Sequence, residues 1–450
     1  MPPPSTQCPT PYAAQVTTTG LLTDHYELTM IRAAIEGGTA RRRAVFEMFA
    51  RQLPAGRRYG VVAGPGRFLD ALARFRFGLE ELDFLRGSGV IDEPTAAFLA
   101  GYRFRGNIWG YPEGECYFPG SPILIVESTF AEAVVLETLA LSIFNHDCAI
   151  ASAAARMVTA AGRRPIIEMG SRRTHEIAAV AAARAAYLTG FACTSNLRAG
   201  LDYGVPTAGT SAHAFTMVHD NERQAFGVQL EALGVDTTLL VDTYDVPTAV
   251  RTAVELAGSA LGAVRIDSGV VAKVAAGVRT QLDSLGATAT KIIVTGDLDE
   301  YAIADLATAP VDGYGVGTAL VTGSGAPTAS LVYKLVARSP DSSPDLVPVS
   351  KQSVGKPTMG GRKWASRGLD SEGTATVEVI SLTPQPDRPT LRPLLRQLVR
   401  DGEIVGVEPL TAARDRHRRV LAALPASARD ISPSGPAIPT RFESVGAVGQ

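Results

Sequence analysis

Lysine is scarce in this sequence: only six of its 43 basic residues are lysine and the rest are arginine. Arginine suits two-pronged pairing with phosphate and carboxylate, but a preference spread over the whole chain marks composition, not a site. Charge of one sign is also lacking. The 43 basic and 45 acidic residues leave a formal net charge of −2, so no global field draws the chain to nucleic acid or to an anionic membrane. Cysteine is sparse. Cys8, Cys116, Cys148 and Cys193 are far apart, which argues against a disulfide framework and against thiolate metal ligation. They read as reduced thiols, and a cytoplasmic location is expected. No run of 18 uncharged apolar residues occurs, so no membrane span is expected; the alanine-rich run 177–192 comes closest and Arg184 breaks it. Residues 1–15, MPPPSTQCPTPYAAQ, lack the basic-then-apolar order of a signal peptide and read as a disordered lead. There is no GxxxxGK[ST], which excludes a P-loop.

What is present is an ordinary globular composition, 46% apolar and 20% charged, in a chain of 450 residues. That length exceeds what one core usually serves, so two domains are expected. An N-terminal α/β sheet domain is expected over 16–135. A capped helix begins near LLTDHYELTM, and AVFEMFARQL after residue 43 reads as a strand. Short antiparallel strands and tight turns are expected over 104–130. From 131 to 160 apolar residues recur at helical spacing. His146-Asp147 lies within that run, with no second histidine at ligand spacing, and reads as structural.

Beyond residue 165 the pattern changes. Apolar runs at PIIEM, FACTS, VPTA, TLLV, AVRI, KIIV and GYGV alternate with helix-length segments near 174–190, 221–234, 247–260, 270–285 and 298–307. Strands alternating with helices imply parallel β/α units. The fold class expected is α/β: an irregular parallel β/α barrel over 136–335 beside the sheet domain. An open doubly wound sheet is the alternative, but the nucleotide fingerprint usual at its first turn is missing. Residues 336–350 read as a Pro/Ser/Asp linker. A C-terminal region over 351–430 is expected to pack on the N-terminal domain, and 431–450 to form a disordered tail. Within that region the basic run of TAARDRHRRVLAAL, His417 included, reads as a solvated helix face.

In β/α barrels the chemistry gathers at the C-terminal ends of the strands. The residues that follow the apolar runs are Arg172; Ser195 and Asn196; Gly209, Thr210, Ser211 and His213; Asp242 to Asp245; Arg265, Asp267 and Ser268; Thr295, Gly296 and Asp297; and Gly315, Gly317 and Thr318. Any one such loop is ordinary turn chemistry; seven in series, mixing arginines, carboxylates, glycine turns and a histidine, point to a site. Gly296 and Gly317 open turns whose backbone N–H groups suit phosphate. Arg172 and Arg265 suit phosphate or carboxylate. Asp242, Asp245 and Asp267 suit Mg²⁺ or ribose hydroxyls. A phosphorylated sugar carrying a metal-bound pyrophosphate would satisfy the set.

LLTDHYELTM, IIEMGSRR, AGTSAHAF, VDTYDV, VRIDSG, TGDLDE, and GVGT followed by VYKLV occur in one order. Together they resemble nicotinate phosphoribosyltransferase, a type II phosphoribosyltransferase family, from about residue 21 to 340. The resemblance implies ligase-type, ATP-coupled transfer of phosphoribose from phosphoribosyl pyrophosphate to nicotinate in NAD salvage. It implies Mg²⁺, ATP as co-substrate, and a homodimer with its site at the subunit interface. His213 would be phosphorylated and Asp242 would orient it. Asp267 would face the ribose or its metal, Arg265 would approach the base, and Arg172 would bind anionic groups. The turns at Gly296 and Gly317 would hold the 5′-phosphate. Tyr26, from the partner subunit, would stack on the pyridine ring. Ser195 or Asn196 would donate to the nicotinate carboxylate, where nicotinamide-using relatives carry an aspartate. Met169 departs from the aromatic those relatives use. Nicotinamide or quinolinate as substrate, or a non-catalytic sensor of phosphoribosyl ligands, are the alternative readings.

Overall fold

The computed structural model describes residues 18–340, 343–351, 359–385 and 388–443. The expected lead at 1–15 and residues 444–450 of the expected tail lie outside them.

The N-terminal layer is built on the strand Arg43–Ala50, whose side chains are buried at nearly every position. Such a strand must be covered on both faces. It is flanked by antiparallel partners, Leu331–Arg338 and Leu124–Thr129. The full sheet has seven strands. Val347–Pro348 extends it on one side, and Asn107–Gly110, Arg396–Arg400 and Glu403–Ile404 on the other. The antiparallel strands expected over 104–130 are therefore present. The segment expected as a linker over 336–350 instead begins inside the strand Leu331–Arg338 and contributes Val347–Pro348 to the same sheet.

The second layer is a six-stranded parallel sheet. Its order is Cys193–Thr194, Ile166–Glu168, Gly313–Val316, Lys291–Val294, Ala263–Ile266, Thr238–Leu240. Helices follow the strands, as the alternation predicts, at Glu176–Thr189, Glu222–Leu233, Val246–Ala257, Val271–Ser284 and Glu300–Asp305. VPTA, expected as a strand, makes a single parallel bridge, Thr194 to Thr207. Pro206 within it has no N–H to give a ladder, so the run ends as a one-residue contact.

The helix Glu137–Ala161 joins the layers. Cys148 faces the core of the N-terminal domain and Ile150 that of the parallel sheet. By length and composition the helical stretch Phe130–Ala161 is apolar enough to cross a membrane, closer to that limit than 177–192, but most of it is buried. His146 and Asp147 on it are joined, Nδ1 to Oδ1, at 2.8 Å, and Arg67 holds the same carboxylate oxygen at 2.7 Å. The pair thus serves a buried ion cluster.

The C-terminal segment adds a four-stranded sheet, Leu391–Pro393, Trp364–Leu369, Ala375–Ser381 and Thr440–Glu443. The last strand corrects the expectation of a disordered tail over its described part, because it pairs in parallel with Ala375–Ser381. The helix Leu410–Ala422 is not a wholly solvated face either. Arg416 donates to the Glu113 carbonyl at 2.7 Å, and His417 is 2% exposed. Arg362 is held by Glu127 at 2.9 Å and lies 3.6 Å over the Trp364 ring, which gives this basic residue a packing role.

Candidate active site

The register of the parallel sheet decides which loops become neighbours. Val294 pairs with Ile266, so Thr295 leaves its strand beside Asp267. Val316 pairs with Glu168, so Gly317 leaves beside Met169. Leu240 pairs with Arg265, which brings Asp242 next to Asp267. Residues more than a hundred positions apart therefore meet at one edge of the sheet, the edge where such folds place their chemistry.

Asp242 is the centre of that edge. Its side chain is 3% exposed. One oxygen, Oδ2, accepts from the Asp267 backbone N–H and from the Ser268 hydroxyl, both at 2.8 Å. The other, Oδ1, is buried without a donor and lies 4.0 Å from His213 Nε2. That is close enough for attraction to an imidazolium and too long for a hydrogen bond. The hydrogen-bonding neighbour of His213 is Thr243, whose hydroxyl is 3.1 Å from Nδ1. The orienting contact expected from Asp242 is thus made by the next residue, with Asp242 supplying field. His213 itself opens the short helix His213–Met217, and its side chain is 39% exposed.

Arg265 rises beside this group. It donates from Nη1 to Thr210 at 2.6 Å, which ties the AGTSAH turn to the sheet. Burial draws its pKa down; Asp267 and Asp242 counter that, and Arg172 adds to it. The guanidinium stays charged, since even a depressed arginine ionises far above neutral pH. Its Nε is buried without an acceptor. Exposed Arg172 therefore brings a second positive charge close to an unsatisfied donor, which is what an incoming anion needs.

The glycines are required where the loops touch. Gly296 has φ +101°, and a Cβ there would sit 2.4 Å from the Asp267 carbonyl oxygen. Asp297 follows at φ +48°, so two successive residues take the left-handed region that leaves amides uncovered. A Cβ at Gly315 would lie 2.8 Å from the Met169 sulfur. Gly317 precedes the exposed Thr318, where the helix Thr318–Val321 starts. The Thr295 hydroxyl donates to Asp267 Oδ1 and fixes that carboxylate.

Asn196 is engaged within the chain. Its Oδ1 accepts from the Ala199 N–H and its Nδ2 donates to the Ser171 hydroxyl, each at 2.9 Å. Exposed Ser195 is left as the outward donor of that loop. Tyr26 stands apart from the others. It is 44% exposed on the helix His25–Glu36, and its phenol is influenced by Glu137, Glu27 and Thr138, not by the sheet-edge loops.

One residue of this edge escaped the sequence reading, and another was named without its role. Thr243 stood among the loop residues Asp242 to Asp245, with no role of its own assigned. Glu168 was hidden inside the apolar run PIIEM, yet its buried carboxyl accepts from the Gly170 N–H and from the Thr194 hydroxyl, binding the first two loops together. Burial raises its pKa and those two donors oppose the rise. A lone acid at the end of an apolar strand was the available signal.

Comparison with known proteins agrees with this geometry. A nicotinate phosphoribosyltransferase N-terminal domain model matches residues 21–145. A Mycobacterium tuberculosis protein named nicotinate phosphoribosyltransferase pncB1 is 57% identical, over 94% of this chain and 95% of that protein. The chain belongs to the nicotinate phosphoribosyltransferase family. A Bacillus subtilis protein of the same family name is 37% identical over 77% of this chain and 72% of its own length. Human nicotinic acid phosphoribosyltransferase superposes with a TM-score of 0.78 at 26% identity, covering 94% of this chain and 97% of the human one. A Pyrococcus furiosus nicotinate-nucleotide pyrophosphorylase superposes at 0.73 with 25% identity, covering 92% and 98%.

The donor set of this family member also fits a divalent cation. Asp242 Oδ1 is a buried carboxylate oxygen with no donor of its own. Asp267 lies next to it in the parallel register. Mg²⁺ is usually held by one or two carboxylates plus substrate phosphates. Among the described residues no group of three or more histidine, cysteine or acidic side chains could hold a metal ion by itself.

Proposed function

We propose that this chain transfers phosphoribose from phosphoribosyl pyrophosphate to nicotinate, driven by ATP through phosphorylation of His213. The observation that carries the reading is the convergence of His213, Asp242, Arg265, Asp267 and the Gly296 turn on one sheet edge, in a chain of this family. The bond from ribose C1 to pyrophosphate breaks and its electrons leave with pyrophosphate. The lone pair of the pyridine nitrogen then forms the new C1–N bond. That nitrogen carries no proton to remove, so positioning is the main task. Asp267 would steady positive charge growing on ribose, Arg172 would meet anionic groups of the substrate, and Arg265 would approach the base. The turns at Gly296 and Gly317 suit the 5′-phosphate. Mg²⁺ held by Asp242 and Asp267 would neutralise pyrophosphate charge.

In the ATP half-reaction a ring nitrogen of His213 attacks the γ-phosphorus. ADP leaves with the electron pair of the broken P–O bond, and water later takes the phosphoryl group. Thr243 and Asp242 would hold the imidazole for this attack. Neutral Ser195 favours a carboxylate base, since an aspartate there would repel it. The curled parallel sheet is read as an irregular barrel. The chain is read as one half of a homodimer in which Tyr26 covers the partner's pyridine pocket. Buried Cys116 and Cys148, with Cys193, are free thiols and suit the cytoplasm.

The test has two parts. With nicotinate, nicotinamide and quinolinate compared at steady state, nicotinate should have the highest kcat/KM; a preference for nicotinamide would overturn the assignment. His213→Ala should abolish ATP hydrolysis and acid-labile phosphate on the chain while slow, uncoupled transfer survives. Unchanged ATP turnover in that variant removes His213 from the scheme.

A further inference from the structure

The segments that leave the Gly296 and Gly317 turns run into a buried ion cluster that the reaction scheme does not use. Its centre is Glu300, 2% exposed, the first residue of the helix Glu300–Asp305 and four positions after Gly296. Asp299 fixes the start of that helix: its Oδ1 accepts from the Tyr301 N–H at 3.0 Å and the Ala302 N–H at 2.8 Å. The Glu300 carboxylate is thus held on the same short segment as the Gly296 turn. Its Oε2 accepts from the Ser324 hydroxyl. Ser324 belongs to the other turn. Its N–H donates to the Ala319 carbonyl at 2.6 Å, which ties it back to the helix Thr318–Val321 that follows Gly317. One carboxylate therefore joins the segments that leave both turns.

The other oxygen faces two arginines. Glu300 Oε1 accepts from Arg156 Nε at 2.9 Å and from Arg57 Nη1 at 3.2 Å, and both arginines are buried. Arg156 lies on the helix Glu137–Ala161 that joins the layers, and its remaining donors reach the Gly56 carbonyl, the Tyr301 hydroxyl and the Ile431 carbonyl. Arg57 comes from the loop after the strand Arg43–Ala50, in the N-terminal layer. Its Nη2 donates to the Gly323 carbonyl at 2.8 Å, so a single guanidinium holds Glu300 and the end of the Gly317 segment together. Gly323 takes φ +65°, and a Cβ there would sit 2.2 Å from the Ala326 carbonyl oxygen; only glycine makes the bend that presents this carbonyl. A buried ion cluster adds little net stability, because desolvation offsets the attraction. What distinguishes this one is what it connects.

We propose that Glu300 is a positioning residue for the phosphate end of the pocket: it sets the gap between the Gly296 and Gly317 turns, and Arg57 anchors that gap to the N-terminal layer. The inference rests on the reading of those turns as the 5′-phosphate site. A phosphate held by backbone N–H groups of two separate turns needs both within hydrogen-bond distance at once. A drift of about 1 Å between them is enough to lose that. Phosphoribosyl pyrophosphate depends on the gap. Nicotinate, whose carboxylate is read as meeting Ser195, does not. Loss of the clasp should therefore fall on one substrate and spare the other.

The experiment measures steady-state KM values for phosphoribosyl pyrophosphate and for nicotinate in the full-length wild type, Glu300→Gln, Ser324→Ala and, as control, Gly317→Ala. Glu300→Gln should raise the KM for phosphoribosyl pyrophosphate about tenfold and Ser324→Ala about threefold, with the KM for nicotinate changed by less than about twofold in each. A merely structural role would cost folded enzyme, which lowers kcat and leaves both KM values in place. Ser324→Ala removes one hydroxyl from a half-buried position and leaves both arginines paired with Glu300, so it decides alone should Glu300→Gln fail to fold. The inference is overturned if a folded Glu300→Gln keeps the wild-type KM for phosphoribosyl pyrophosphate, or if Ser324→Ala does so where Glu300→Gln does not fold. It is overturned equally if the two KM values rise together. Gly317→Ala puts a methyl group into the turn itself and should raise the KM for phosphoribosyl pyrophosphate at least about tenfold. An unchanged value there sinks the parent reading of the turn; a raised value there, with Glu300→Gln and Ser324→Ala unaltered, sinks this inference alone.

Discussion

The residue that divides the work of this edge is Asp242, because its two oxygens have different duties. Oδ2 is filled by the Asp267 N–H and Ser268 hydroxyl and fixes the carboxylate in place. Oδ1 is left bare, so its field is available to His213 at 4.0 Å. Direct orientation of the imidazole falls to Thr243. Thr243→Val keeps the volume and removes the hydroxyl. ATP turnover should drop about tenfold, the scale of one lost orienting hydrogen bond, while the KM for nicotinate changes little. A stopped assay of acid-labile phosphate checks this; an unchanged rate would leave Asp242 as the sole orienting group. At this scale the sequence was legible where chemistry and turn grammar coincide, as in Asp267, Gly296 and His213. It was illegible where a polar residue hides in an apolar strand, as Glu168 does. Its tie to Thr194, in the following loop, is a contact that local pattern cannot reveal.

Among the elements, the helix Leu410–Ala422 departs furthest from its sequence reading. Arginine-rich TAARDRHRRV reads as a solvated surface because charge is usually exposed. Here arginine heads reach backbone carbonyls: Arg414 donates to Phe191 at 2.8 Å and Arg416 to Glu113 at 2.7 Å. Arginine can bury its stem while the head finds acceptors, so composition alone misjudges such a face. His417 is drawn in with them. Its Nδ1 is 3.2 Å from the Gly114 carbonyl, which calls for a proton on that nitrogen. Burial pushes its pKa down to about 4, from 6.5. The sign follows. A folded pKa below the unfolded one gives stability that is present above about pH 6.5 and is lost as pH falls toward 4, by at most about 3 kcal/mol. Melting curves from pH 7 to about pH 4.5 should therefore show Tm falling less steeply in His417→Gln than in the wild type, even if the variant starts lower. Parallel slopes would mean that the helix does not hold His417 neutral. The parallel strands, by contrast, were legible as apolar runs. VPTA failed because Pro206 removes a ladder donor, and the strand Thr440–Glu443 was missed because its pairing partner lies some sixty residues upstream.

For the whole molecule the telling fact is separation. His213, Asp242, Arg265 and Asp267 share one sheet edge, but Tyr26 stands on a helix of the other layer, among Glu27, Glu137 and Thr138. It is 44% exposed, and Leu21 and Leu22 beside it are exposed at 42% and 44%. A row of large apolar side chains left open at a helix start is unusual for a surface that meets only water. A second copy of the chain would cover it and would carry Tyr26 to the partner's pyridine pocket. This arrangement makes a quantitative demand. Tyr26→Ala and His213→Ala chains should each be deficient in ATP-coupled nicotinate turnover when pure. After the two are unfolded together and refolded, about half of the dimers are mixed by random pairing. Each mixed dimer then holds one intact site, with His213 from one chain and Tyr26 from the other, and one site lacking both. Activity should return to about a quarter of the wild-type value per chain, and it should depend on mixing before assembly, not after. If Tyr26 served the site of its own chain, every site in the mixture would lack one of the two groups and no activity would return.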